Sequence, residues 1–191
     1  MVKEKASISA MLDRVGKRAA EYQYAYKGCG QSAFLALHDE FHFPGGDAVF
    51  KAATFTGAGI ARMEGVCGAV IGAVLAMGLV AGRDRIEDPM YAGEIDKGSG
   101  LPRTLLIVRD FYRSFLDEFG SCMCGDIRLK LLGTRYNLGI PDELRRFEME
   151  GGHETRARVV ERCARLAAET IVRLQAEMNN DEAKDVQARR M

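Results

Sequence analysis

Apolar residues in this chain recur every three to four positions and almost never alternate, the spacing that lays a stripe along one face of an α-helix. The pattern predicts helices at about 4–24, 30–42, 47–55, 66–82, 102–119, 125–132 and 153–178. Pro44-Gly45-Gly46 stops the second of these, Gly57-Ala58-Gly59 breaks the chain ahead of the fourth, and Pro102 sits near the start of the fifth. With no Asn-Gly or Asp-Gly hairpin signal, the predicted fold class is all-α: a single compact multi-helix bundle around a central Gly/Ala-rich helix. That helix is Val66 to Gly82, uncharged over 17 residues, shorter than the ~20 a membrane span needs and rich in small residues that allow close backbone approach. Its Gly/Ala faces are expected to meet the helices holding Cys29 and Cys163. In 102–119 the predicted core face is Leu105, Val108, Tyr112, Phe115 and Phe119. Residues 1–178 are expected to form one domain, and 179–191, which are polar and lack an apolar stripe, a flexible C-terminal tail.

Composition narrows the function classes. With 47% hydrophobic residues and 27 basic against 27 acidic side chains, there is neither the composition of a disordered chain nor the field that draws a protein to nucleic acid, so no nucleic-acid partner is expected. Met1 to Tyr22 mixes charges with helix formers and has no sustained apolar core, which predicts no secretory signal, no membrane association and a cytoplasmic protein. A homodimer would cover apolar area that a Gly-rich helix leaves open. His38 and His42 stand four apart, the spacing of paired metal ligands, but they fall in a last helical turn where an imidazolium suits the helix C-terminus, and that reading is preferred. Gly57-Ala58-Gly59 has no preceding strand and no third glycine, so it predicts a tight turn beside Cys67 rather than a dinucleotide loop.

The candidate chemistry lies in the cysteines. Cys29, Cys67 and Cys124 each stand at a predicted helix start, where free N–H groups and the helix dipole stabilise negative charge; depressed pKa values are expected there, suited to nucleophiles or soft metal ligands. Cys163 lies instead on the apolar stripe of the last helix, with Val159, Val160 and Ala167. These four are too widely spaced for a zinc finger, so a shared site must be assembled by the fold, and they are predicted to converge. Cys122 forms a Cys-x-Cys pair with Cys124, one member being spare or resolving. An odd total of five argues against a fully paired disulfide framework.

Gly28-Cys29-Gly30-Gln31-Ser32-Ala33, Thr56-Gly57-Ala58-Gly59 leading to Cys67-Gly68-Ala69-Val70-Ile71-Gly72, Phe119-Gly120-Ser121-Cys122-Met123-Cys124 and the final Cys163 occur in an order that resembles the redox-active family named for its C-GCAxxG-C-C cysteine pattern. Gly30 stands where relatives more commonly have Ala, and Cys122 is extra. The resemblance covers about residues 10–178 and implies redox work by Cys29, Cys67, Cys124 and Cys163. A similar module in split-Soret cytochromes accompanies haem and is associated with an iron–sulfur centre; this chain has no Cys-x-x-Cys-His and hence no c-type haem attachment site. The leading expectation is an iron–sulfur-binding electron-transfer module ligated by the four cysteines, working with a redox partner protein. The alternatives are a thiol–disulfide oxidoreductase or redox sensor, and a structural zinc protein with four cysteine ligands. Whether the chain is an enzyme stays open at this point.

Overall fold

Eight α-helices and one short 3-10 turn follow one another, with no strand, among the described residues 2–188 of the computed structural model. They are α1 (Val2–Tyr26), α2 (Cys29–Phe41), α3 (Gly46–Ala52), the 3-10 turn Ala53–Thr56, α4 (Gly68–Ala81), α5 (Arg103–Phe119), α6 (Cys124–Leu132), α7 (Pro141–Met149) and α8 (Gly152–Ala188). The all-α bundle read from the sequence is the observed fold. No described helix is long and apolar enough to cross a membrane.

α1 and α8 lie antiparallel, tied by Arg165 to Asp13 at 2.6 Å midway along α1 and by the approach of Lys27 to His153 where α1 ends and α8 begins. α4 packs between α2 and α8, and α5 lies along α8. Phe34, Leu37, Phe115, Ile171 and Leu174 are wholly buried where these helices meet; each such side chain contributes about 1.5–3 kcal/mol of transfer free energy. Cys29, Cys67 and Cys163 belong to the same core.

The α2–α4 crossing is a contact of backbones. A Cβ placed on Gly72 would collide with the carbonyl oxygen of Gly30, and one on Gly68 would come within 2.5 Å of the Thr56 carbonyl oxygen. A Cβ on Gly30 would in turn meet the Thr56 hydroxyl and lie 2.9 Å from the Gly68 oxygen. These contacts are the reason for glycine at 30, 68 and 72, and they set the starts of α2 and α4 against each other. As expected, the small-residue faces of α4 meet the helices that carry Cys29 and Cys163.

Three elements differ from the sequence reading. The buried stripe of α5 is Thr104, Ile107, Phe111, Phe115 and Phe119, turned by one position from the predicted face, so that Leu105 and Val108 are half-buried and Tyr112 is exposed. Phe115 and Phe119 serve both stripes, and the neighbouring helices decide between them. α7 is absent from the predicted set although Pro141 at its first turn, followed by Asp142 and Glu143, is a helix-start signal. α8 runs past 178 to Ala188; residues 189–191 of the expected tail lie outside the described residues.

Glycines in one helix should therefore respond to alanine with opposite signs. Gly78→Ala, where nothing lies within 4 Å of the added methyl, should stabilise the protein by about 0.5–1 kcal/mol. Gly72→Ala should destabilise it by about 1–3 kcal/mol or more. Urea denaturation of both variants checks this; a stabilised Gly72→Ala would show that the α2–α4 backbones are not in contact.

Candidate functional site: a buried cysteine cavity

Cys29 is the first residue of α2, Cys67 the N-cap of α4 and Cys124 the first residue of α6, so the three predicted helix starts are observed. All three line one cavity of about 30 Å³, together with Val159, Val160 and Phe147. Cys163 lies one turn further along α8 from Val159, fully buried, and close enough to Cys67 and Cys29 that a charge on either would be felt at its sulfur. Three of the four cysteines named from the sequence thus share one cavity, and Cys163 lies in the core within electrostatic reach of Cys67 and Cys29. All are free thiols.

Backbone hydrogen bonds fasten the cysteine segments together. The Cys67 N–H donates to the Cys122 carbonyl at 2.7 Å, and the Cys124 N–H donates to the Gly65 carbonyl at 2.8 Å. Between these bonds Val66 and Met123 form an isolated antiparallel bridge. The two segments are zipped for a few residues, which fixes Cys67 against Cys124, while the α2–α4 crossing fixes Cys67 against Cys29.

Ahead of Cys67 the chain makes an unusual turn. Ala58, Gly59, Ile60, Ala61 and Arg62 all have φ between +49° and +78°, a left-handed stretch that costs non-glycine residues roughly 1–2 kcal/mol each. The Ile60, Ala61 and Arg62 N–H groups donate back to Thr56, Phe55 and Gly57. Gly59 faces the site so closely that a Cβ there would sit 2.8 Å from the Cys124 Cβ and 2.6 Å from the Gly65 nitrogen. The tight turn expected here exists, and it backs onto Cys124. Strain of this kind persists only where surrounding contacts over-determine it, commonly at a functional site.

The electrostatics depart from expectation. Burial pushes the Cys67 thiol far above its ordinary value, and charge at Cys29 and Cys124 pushes the same way; the Val70 and Ala69 N–H groups at the start of α4 pull against both and lose. Cys124 is pushed up to about 11, again chiefly by burial, against the attraction of Arg128 and Arg156. Cys163 is raised by burial and then by Cys67 and Cys29. Depressed pKa values predicted from the helix starts are therefore corrected for Cys67 and Cys124: the dipole is present, but desolvation in a dry cavity outweighs it.

Two arginines are the only charged residues lining the cavity. Arg128 is almost wholly buried; it donates to the Tyr136 carbonyl at 2.6 Å and pairs with Glu64 at 3.0 Å. Arg156 lies over the Phe147 ring at 4.7 Å and meets His153 Nδ1 at 2.8 Å, while its buried Nε has no hydrogen-bond partner. Burial draws its pKa down, and the Cys29 and Cys124 sulfurs, if ionised, would raise it. Sequence reasoning missed both arginines and Phe147. A signal existed: Arg128 follows Cys124 by one helical turn and Arg156 precedes Cys163 by two, so each shares a helix face with a cysteine.

Other candidates fall away. Cys122 does not line the cavity; it is half-buried beside Tyr112, with which it forms a side-chain hydrogen bond, so Cys124 is the member of the pair at the site. His38 is packed between Phe34 and Phe43 with ring centroids 6.0 and 6.1 Å away, and His42 caps α2, donating its N–H to the His38 carbonyl. Among the described residues no group of three or more His, Cys, Asp or Glu is gathered so that it could hold a metal ion.

The raised thiol pKa values predict a pH dependence. A group with a raised folded pKa contributes stability that is intact below its unfolded value and lost as pH climbs through the folded one. For Cys124 the loss should begin near 9 and continue through about 11. Urea midpoints of the thiol form measured from pH 7 to 11 should fall over that window, and Cys124→Ser should flatten the fall.

No curated protein and no solved structure matches the chain. A family model does: residues 27–177, which include all five cysteines, match the family described as "Putative redox-active protein (C_GCAxxG_C_C)". The match spans most of the chain from the start of α2 into α8, and the protein belongs to the C_GCAxxG_C_C family of redox-active proteins.

Proposed function

We propose that the four thiols form one redox centre, and that its working form is an iron–sulfur cluster held by Cys29, Cys67, Cys124 and Cys163. The observation that carries the reading is the cavity lining: three cysteines at three helix N-termini, with Arg128 and Arg156 as the charged side chains beside them among the described residues. Helix N-termini and guanidinium groups favour negative charge on sulfur. The protonated thiols buried here are poor nucleophiles, and soft metal binding is what displaces thiol protons in such surroundings. A bound cluster would supply a one-electron couple.

The residues fit such a group in donor chemistry and charge. The thiol form is closed around about 30 Å³, so loading requires the cysteine segments to part. Each segment has a role in this. α2 and α4 present the first-turn N–H groups beside Cys29 and Cys67, Arg156 offers an unsatisfied Nε, and Phe147 with Val159 and Val160 keeps water out. A zinc site with four cysteine ligands would draw on the same thiols, and like a cluster it requires them to move together, since among the described residues no ligand set is gathered around one point.

A second reading is favoured by one observation: Cys29 lines both the buried cavity and a neighbouring outer cleft. Cys29 as thiolate would attack an incoming disulfide, releasing one thiolate, and a second cavity thiol would displace the other, leaving an intramolecular disulfide and two substrate thiols.

Anaerobic reconstitution with ferrous iron and sulfide separates the two. The cluster reading expects visible absorption, bound iron and acid-labile sulfide in the wild type. Each of Cys29→Ser, Cys67→Ser, Cys124→Ser and Cys163→Ser should lose most of the iron, whereas Cys122→Ser should retain it. Arg156→Gln should lower the reduction potential, because the reduced centre carries one more negative charge. A protein that binds no iron but forms one disulfide per chain under a disulfide substrate would replace the cluster reading with the second.

A further inference from the structure

Beside the cysteine cavity lies a second hollow of about 210 Å³, and Cys29 and Arg156 line both. Its walls are the end of α1, the start of α2 and the left-handed turn: Lys27, Gly28, Cys29, Gly57, Ala61 and Arg62 are among them. Three cations, Lys27, Arg62 and Arg156, face this space, and no Asp or Glu lines it. None of the three has an ion pair with a carboxylate among the described residues. Arg62 donates to the Leu138 carbonyl at 3.0 Å. Lys27 Nζ and Arg156 Nη2 both approach His153, at 3.0 and 2.8 Å, so a single imidazole stands between two cations. His153 is held toward its neutral form by burial and by those two charges, with Glu148 3.3 Å away on its other side.

Unpaired cations gathered at a hollow repel one another and raise the free energy of the folded chain. The buried Arg156 Nε without an acceptor adds an unmet hydrogen bond, which costs about 1–3 kcal/mol. Gln23 is also fully buried, with neither its amide nitrogen nor its oxygen bonded. The antiparallel α1–α8 register, with Lys27 opposite His153 and Asp13 opposite Arg165, brings Gln23 level with the Arg156 turn. An anion in the hollow would meet the cationic demand in one step.

We infer that this cleft binds a small oxyanion, held by Lys27, Arg62 and Arg156 beside Cys29. Its volume is below the roughly 300–1,000 Å³ of sites that take drug-sized ligands, which limits the ligand or its recognised head group to a small size. The uncapped start of α2, preceded by left-handed Lys27 and Gly28, adds first-turn N–H groups to the same wall. As the substrate subsite of the redox centre, this deepens the function proposed above and rests on it; as an anion site it stands independently of whether a cluster is bound.

The test is a titration of the full-length thiol form with potassium sulfate and with potassium acetate, followed by amide NMR shifts and compared with potassium chloride at matched ionic strength. Saturable shifts centred on Gly28, Cys29, Gly57 and Ala58 are expected. Sulfate alone would identify a tetrahedral oxyanion, and equal binding of acetate a carboxylate; either supports the site. Lys27→Gln and Arg62→Gln, both exposed, should each weaken binding by about tenfold, and the double variant should abolish it while keeping the helical circular-dichroism spectrum of the wild type. Shifts no larger than those in chloride, or undiminished binding by the double variant, would overturn the inference. A protein that takes up no iron yet binds sulfate loses only the cluster reading; one that holds a cluster but binds neither anion loses only this one.

Discussion

The site depends first on the missing side chains at Gly30, Gly68 and Gly72. Two helices that cross through their backbones come closer than any pair separated by side chains, and here the crossing lies within a turn of both helix starts. Cys29 and Cys67 stand at those starts, so the contact that packs α2 on α4 also sets two thiols on one cavity. Cys163 reaches the same place through α8, which packs on α4 from the other side. A methyl group at this crossing would therefore disturb chemistry and packing together.

Cys124 is brought in by a different device. It is far from the others in sequence, and what joins it is the short zip between segments 65–67 and 122–124, backed by Gly59 in the left-handed turn. The two segments run directly into the starts of α4 and α6. Cys29, Cys67 and Cys163 belong to the main core, whereas Cys124 joins them through these backbone hydrogen bonds and through α6, whose Ile127 packs on that core.

Within the cavity, burial and helix dipoles act in opposite directions on the same atoms. The N–H groups at the start of α4 favour a charged Cys67 sulfur, and the dry surroundings together with neighbouring sulfurs disfavour it more. The outcome is that Cys67, Cys124 and Cys163 stay neutral while helix starts and two guanidinium groups favour negative charge beside them. The outer neighbour of this cavity is lined by Lys27, Arg62 and Arg156, the first two exposed to solvent.

Local pattern by itself determined the helices, their start signals and the identity of the four cysteines, because periodicity, glycine and proline act over a few residues. Helix starts at Cys29, Cys67 and Cys124 are legible for that reason, as is the core-facing position of Cys163. Tertiary structure decided the remainder. The face of α5 that is buried depends on neighbours, since Phe115 and Phe119 belong to either stripe. The thiol pKa values depend on how much protein surrounds each sulfur, a quantity that no spacing encodes, and so the sign of the shift was misread from the dipole alone. Arg128 and Arg156 look like ordinary surface charges in a helical pattern; only packing against α7 and the cysteine segments makes them part of the site. The left-handed turn is the clearest case: Ile60, Ala61 and Arg62 have no local preference for positive φ, and hydrogen bonds back to Thr56, Phe55 and Gly57, with the Arg62 side chain on the Leu138 carbonyl, accompany them there.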